Sequence, residues 1–210
     1  MKELLHDDPA ADRARVTDVD AMRALAHRHR YAIFMLLLSD GPRTATQCAE
    51  VVGATPSACS YHLRELARFG FVERVTPRDE ADDAEPVDGR RRPWRATASG
   101  FAFVTPTSDD TAGRHVHHAL GFVGRAENER LACAFLEGFG DLDPAWQEAS
   151  QSHAYGLSVT VEELVVLADA IDALLRPYRS PSRIDPPAGA RVVHAVFEAF
   201  PRADLGRADR

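Results

Sequence analysis

Apolar residues in the first part of the chain recur with helical spacing in successive runs, separated by short turn signals. The first run follows Asp18, a suitable N-cap, and places Met22 and Leu25 on one face. The second run, Tyr31–Leu38, is more apolar and ends at the turn Asp40-Gly41-Pro42. These patterns predict two helices, of which the second is the more deeply buried.

Two further helices are predicted on either side of a short glycine turn. Thr44 is placed to cap a helix with inward-facing Cys48, Ala49 and Val52. Gly53 permits a tight reversal, and Thr55-Pro56 opens the next helix with an N-cap and a proline at its first position. Two helices joined in this way predict a helix-turn-helix.

The helix predicted over Thr55–Phe69 has two chemically different faces. Its inward face carries Cys59, Leu63, Leu66 and Ala67, and its outward face carries Ser57, Ser60, Tyr61, Arg64 and Arg68. Hydroxyl groups and a guanidinium near the start of such a helix suit the base edges in the major groove of DNA. The alternative is an ordinary solvated face, because amphipathic helices all have a polar side.

A β-hairpin is predicted directly after this helix. Phe71–Val75 alternates in polarity, and Pro93–Thr97 can return as its partner strand, with the acidic stretch Asp79–Asp88 at the tip. The returning limb is densely cationic and suits a minor groove or backbone phosphates; its arginines are Arg90, Arg91, Arg92 and Arg95. Alternatively, these arginines neutralise the acidic tip.

The distribution of charge supports the first of these interpretations. The whole chain has a formal net charge of -7. Residues 18–100 contain twelve Arg and twelve acidic residues, and six of the acids lie between Asp79 and Asp88, so the rest of this segment carries +6. The positive charge is therefore local, as a DNA-contacting module requires.

The same segments resemble the winged helix domain of ArsR-type regulators over residues 18–100. The resemblance rests on Met22–His27, Thr44–Gly53, Ser57–Leu66 and Phe69–Val72. It implies DNA contact through the hairpin wing and through a recognition helix, at Ser57, Ser60, Tyr61 and Arg64. His62 matches a common family histidine, which we expect to pack and to hydrogen-bond. A different winged-helix family such as MarR would imply the same biochemistry with another dimer core.

The second half of the chain is predicted to be a dimerisation or effector region. A helical apolar stripe suits either a dimer interface or a domain core: Val116, Leu120, Val123, Leu131, Phe135 and Phe139. His153–Val159 and Ala190–Phe200 are strand-like and flank a helix over Val161–Tyr178, which Thr160 and Glu163 open as a capping box. The pattern predicts a strand-helix-strand unit.

The predicted fold is mainly α with a β-hairpin wing, a winged helix-turn-helix, followed by this C-terminal α/β region. The predicted divisions are a mobile arm at 1–17, the winged helix-turn-helix at 18–104, a linker at 105–112, the dimerisation and effector region at 113–201, and a disordered tail at 202–210.

Catalytic and metal-binding motifs are not apparent in the sequence. His115, His117 and His118 form a local cluster, but only His115 and His118 share a helical face, and partner thiols or acids are missing. Cys48 lacks the Cys-x-Cys partner of arsenic and lead sensors. A phosphate loop, nucleophile elbow or zinc-protease helix is also missing, so we expect no enzyme, metal or cofactor. Cys48, Cys59 and Cys133 are expected to be small core residues.

These observations predict a sequence-specific regulator that binds double-stranded DNA. We expect a cytoplasmic homodimeric repressor with no membrane segment, whose C-terminal half responds to a small-molecule effector or a partner. The alternative is a winged-helix module that binds a protein and has no sequence-specific DNA binding.

Overall fold

The computed structural model describes residues 5–8, 13–75, 92–104, 109–180, 183 and 185–202. The fold is mainly helical with two small sheets. The elements are β1 Leu5–Asp8, β2 Arg13–Val16, α1 Val19–Leu25, α2 Arg28–Asp40, α3 Ala45–Val52, α4 Pro56–Arg68, β3 Val72–Arg74, β4 Trp94–Ala96, β5 Phe101–Phe103, α5 Thr111–Gly138, α6 Pro144–Ala149 and α7 Val161–Leu175, with 3-10 turns at Phe139–Asp141 and Arg176–Tyr178. No helix in these ranges combines the length and apolar character needed to cross a membrane.

Helices α1, α3 and α4 begin at the caps that the sequence predicts, whereas α2 begins at Arg28, before the predicted run, without a side-chain cap. The Asp18 carboxylate accepts the backbone N–H groups of Asp20 and Ala21, at 2.7 and 3.1 Å. Gly41, just past the end of α2, has φ +78°, a conformation that favours glycine. The apolar faces of the four helices form the core, whose largest fully buried side chains include Met22, Leu25, Ile33, Phe34, Leu37, Leu63 and Leu66.

The N-terminal segment is partly a strand, which corrects the predicted mobile arm over 1–17. Strand β2 pairs in parallel with β5 and antiparallel with β1. Ala14 and Val16 are buried, and Val16 is part of the main core. The parallel partner of β2 lies far along the chain, so the local pattern of polar residues around 13–16 could not reveal it.

Strands β3 and β4 pair antiparallel where the hairpin is predicted, with Glu73 opposite Arg95. Trp94 is buried, and its backbone N–H and C=O exchange hydrogen bonds with Arg43, between α2 and α3, at 2.8 and 2.9 Å. These bonds attach the base of the strand pair to the helical core. The predicted acidic tip, with Arg90 and Arg91, lies outside the described residues.

Helix α5 begins at Thr111, inside the predicted linker, because Asp110 caps it by accepting the Gly113 N–H at 2.7 Å. At 28 residues it is about 42 Å long. Val116 and Leu120, near its start, pack into the core formed by α1 to α4. Phe135 and, just past its end, Phe139 are exposed. Only the first half of the predicted apolar stripe is therefore covered within one chain.

The C-terminal half differs from the predicted strand-helix-strand unit. Helix α7, followed by the 3-10 turn, matches the prediction, and Thr160 and Glu163 form the capping box with N···O distances of 2.7 and 3.2 Å. Residues 153–159 and 190–200 contain no strand, and their side chains are exposed. A β-strand requires a hydrogen-bonded neighbour, and none lies beside either segment in the described part of the chain. Cys133 is likewise exposed, unlike the buried Cys48 and Cys59.

Candidate nucleic-acid interface

Helix α4 is held at a fixed angle to α3 by the turn that joins them. Gly53 adopts the left-handed conformation, with φ +66° and ψ +39°, which ends α3 and reverses the chain. The Thr55 hydroxyl then accepts the Ala58 N–H at 3.2 Å, and Pro56 occupies the first helical position. Thr44 and Gln47 form a full capping box at the start of α3. The turn and both caps fix the direction of α4.

The outward face of α4 is exposed, as the sequence predicts. Ser57, Tyr61, Arg64 and Arg68 are exposed and Ser60 is half-buried. The spacing of these residues places them on one side of the helix. Arg68 lies 3.6 Å from the Glu65 carboxylate and over the Phe69 ring, so it has partners within the protein. The structure brings together the five candidate residues of α4 as one surface.

The arginines at the base of β3 and β4 make different contacts. Arg74 lies over the Trp94 ring, 4.3 Å from its centroid, and donates to the Arg92 carbonyl oxygen at 2.9 Å. The Arg95 guanidinium pairs with the Glu73 carboxylate across the strands at 2.9 Å. A phosphate would compete with Glu73 for Arg95. Arg92 is half-buried.

Arg74 was not among the predicted site residues, although its charge belongs to the same surface. Its pKa is lowered from the usual value by burial and then by the positive charges of Arg92 and Arg64. Arg64 on α4 and Arg92, just before β4, therefore lie near enough to Arg74 for their charges to act on it. The position of Arg74 in an alternating strand was visible in the sequence, but its approach to α4 depends on the fold. The predicted site thus gains one cation.

A cluster of three histidines, which the sequence did not predict, lies between the start of α2 and α4. His62 is buried, and its ring centroid lies 4.9 Å from that of His27 and 5.7 Å from that of His29. Burial, His27, His29 and Arg30 lower the pKa of His62 to about 4. Packing of His62 agrees with expectation, but its buried Nδ1 has no hydrogen-bond partner among the described residues. The His-x-His spacing at 27 and 29 was the available sequence signal.

Comparison with known proteins identifies the segment of the chain that contains α4. Residues 25–75 match a family model described as a helix-turn-helix domain. This part of the chain is a helix-turn-helix domain. It includes α2, α3, α4 and β3, and it supports a role as a DNA-binding regulator.

A solved structure and the curated proteins provide two further comparisons. The chain is similar to the crystal structure of RV1404 from Mycobacterium tuberculosis, with 17% sequence identity and a TM-score of 0.29. The match covers 72% of this chain and 81% of that chain. A search of curated proteins found no match.

Proposed function

We propose that this chain is a homodimeric, sequence-specific transcription repressor of the ArsR-like winged helix type. The observation that carries the proposal is the exposed polar face of α4, which the glycine turn of the helix-turn-helix holds outward. Arg74 of β3 lies near enough to Arg64 for the Arg64 charge to act on it. In this interpretation, the β3–β4 pair is the base of the wing. It is attached to the helical core through Trp94 and Arg43.

The two parts of the surface would contact different parts of DNA. Ser57, Ser60, Tyr61 and Arg64 offer hydroxyl, aromatic and guanidinium groups that fit the donors, acceptors and thymine methyl groups of the major groove. Arg74, Arg92 and Arg95 suit backbone phosphates, which fix position without reading sequence. Arg95 exchanges Glu73 for a phosphate when DNA is bound.

The uncovered part of α5 supports a dimer. Leu131, Phe135 and Phe139 continue the face on which Val116 and Leu120 contact the core, yet Phe135 and Phe139 are exposed in one chain. A second copy would bury this apolar surface. It would also place two copies of α4 for two half-sites, spaced about 34 Å apart along B-DNA.

Two C-terminal segments without secondary structure also favour a second copy. Residues 153–159 and 190–200 include exposed apolar side chains, among them Tyr155, Leu157, Val192, Val196 and Phe197. Segments rich in β-branched and aromatic residues are stabilised by strand pairing. Pairing between copies would supply the partners that these segments lack within the described residues.

A response to a small molecule or a partner is part of the proposal. A pocket between α2 and α5 has a volume of about 190 Å³ and is lined by Tyr31, Phe103, Leu120 and Gly124, among others. Pockets for drug-sized ligands typically have about 300–1,000 Å³. This pocket, which Glu198 also lines, is smaller than that range, so we propose that a drug-sized effector would bind in the assembled dimer.

A genomic pull-down with the full chain tests the proposed function. The wild type should enrich fragments that share one sequence, including fragments upstream of genes near its own. Tyr61→Ala with Arg64→Ala should remove that enrichment, whereas Arg23→Ala, an exposed arginine on α1, should retain it. Enrichment without a shared sequence in the wild type would contradict sequence-specific regulation, and no enrichment at all would favour a protein-binding module.

A further inference from the structure

The three histidines between α2 and α4 come from two parts of the chain that are distant in sequence. His27 is the residue before α2, His29 lies in the first turn of α2, and His62 lies in the middle of α4. One ligand atom from each lies within 4.8 Å of those of the other two. Within the described parts of the chain, no other three His, Cys, Asp or Glu residues are grouped in this way.

The surroundings of this His27–His29–His62 cluster leave ring nitrogens without partners. The Nδ1 atoms of His27 and His62 are both buried, and neither has a hydrogen-bond partner among the described residues. His62 is only 9% exposed. An unpaired buried polar atom costs free energy unless a ligand or water satisfies it.

We propose that His27, His29 and His62 bind one divalent transition-metal ion of the zinc class. Three imidazoles with a water in the fourth position are a common zinc ligand set. Zinc–nitrogen bonds of about 2.0–2.1 Å place tetrahedral ligand atoms roughly 3.3 Å apart, so the present cluster must contract. His27 and His29 are half-buried, which leaves their side chains room to adjust.

The charges around the cluster narrow the choice of ion. Arg28 and Arg30 adjoin the cluster in sequence, and the positive charge of Arg30 acts on both His27 and His62. Cations held mainly by charge, such as Mg²⁺ and Ca²⁺, are disfavoured there because they prefer oxygen ligands and negative sites. Ions that bond strongly to imidazole, such as Zn²⁺ and Co²⁺, suit it. The bound ion would link the start of α2 to α4.

Metal binding by the full chain, purified without a histidine tag and freed of metal with a chelator, tests this inference. Calorimetry with Zn²⁺ should show one ion per chain, and Co²⁺ should give ligand-field absorption in the visible range. His29→Ala should weaken binding by at least about tenfold, since removing a residue that only orients a metal ligand already costs about 10–100-fold. Because His29 is half-buried, this variant is expected to fold.

The matched control is His117→Ala with His118→Ala, which removes the adjacent histidine pair on α5. The control should bind Zn²⁺ with unchanged affinity and stoichiometry, and Zn²⁺ should raise the thermal midpoint of wild type and control but not of His29→Ala. Absence of one-to-one binding in the wild type, or equal binding by His29→Ala, would overturn the inference. No DNA is present in these assays, so their outcome is independent of the proposed function.

Discussion

Neighbouring residues of α4 have different roles, and the stability of single-residue variants distinguishes them. Leu63 is fully buried in the core, whereas Arg64 is exposed on the proposed reading face. Leu63→Ala should lower the free energy of unfolding by about 2–5 kcal/mol, because it removes buried apolar surface and leaves a cavity. Arg64→Ala should change it by no more than about 0.5 kcal/mol. Urea denaturation gives the free energy of unfolding of both variants. Equal losses of this free energy would show that Arg64 has a structural role.

The three cysteines should differ in reactivity in the same residue-by-residue way. Burial raises the pKa of the Cys48 thiol to about 12, and burial also raises the pKa of Cys59. Because the thiolate is the reactive form, Cys48 stays protonated at mildly alkaline pH, and only the exposed Cys133 should react quickly with a thiol reagent.

Counting reactive thiols checks this expectation. The native protein should show one fast thiol, denatured protein should show three, and Cys133→Ser should remove the fast reaction. Two or more fast thiols in the native wild type would mean that the helix-turn-helix core opens readily.

At the scale of whole elements, the features set by local chemistry were predictable from sequence. Asp18, Thr44, Thr55 and Thr160 all cap helices because a side-chain oxygen near its own backbone satisfies open N–H groups. Pairing between distant segments was not predictable. The β2–β5 pair and the His27–His29–His62 cluster depend on which elements the tertiary fold brings together, which residue spacing does not encode.

Helix α5 provides the element-scale prediction for the dimer. The proposed wild-type dimer has twice the 23.1 kDa chain mass. Phe135→Asp should convert it into monomers, because a charge would be buried in the apolar stripe. Phe122→Asp is the matched control, since Phe122 lies on the opposite side of α5 and is 75% exposed. Light scattering after size-exclusion chromatography gives both masses. A monomeric wild type, or a dimeric Phe135→Asp, would contradict the proposed interface.

Over the whole molecule, charge distribution matters more than net charge. The chain carries -7, but Arg64, Arg74 and Arg92 form a local basic surface between α4 and the strand pair. In the proposed function, DNA would approach this surface although the chain as a whole is negatively charged. This arrangement makes the proposed affinity strongly dependent on salt.

Salt dependence tests the role assigned to the wing. Changing Arg90, Arg91 and Arg92 together to Gln should reduce the slope of log affinity against log salt by about 0.9 for each phosphate that is no longer neutralised. Arg23→Gln, which removes an exposed charge from α1, should leave the slope unchanged. Fluorescence anisotropy over a series of salt concentrations measures it. A triple variant with the wild-type slope would show that these arginines do not bind phosphates.

The role of α4 in reading sequence is measured by Kd on a selected site and on a scrambled duplex at one salt concentration. Tyr61→Ala with Arg64→Ala should reduce the preference for the selected site by about 1–3 kcal/mol for each base that the protein no longer reads, and change scrambled binding little. Arg74→Gln with Arg92→Gln should instead weaken binding to both duplexes alike. A Tyr61, Arg64 variant that keeps the wild-type preference would contradict the account.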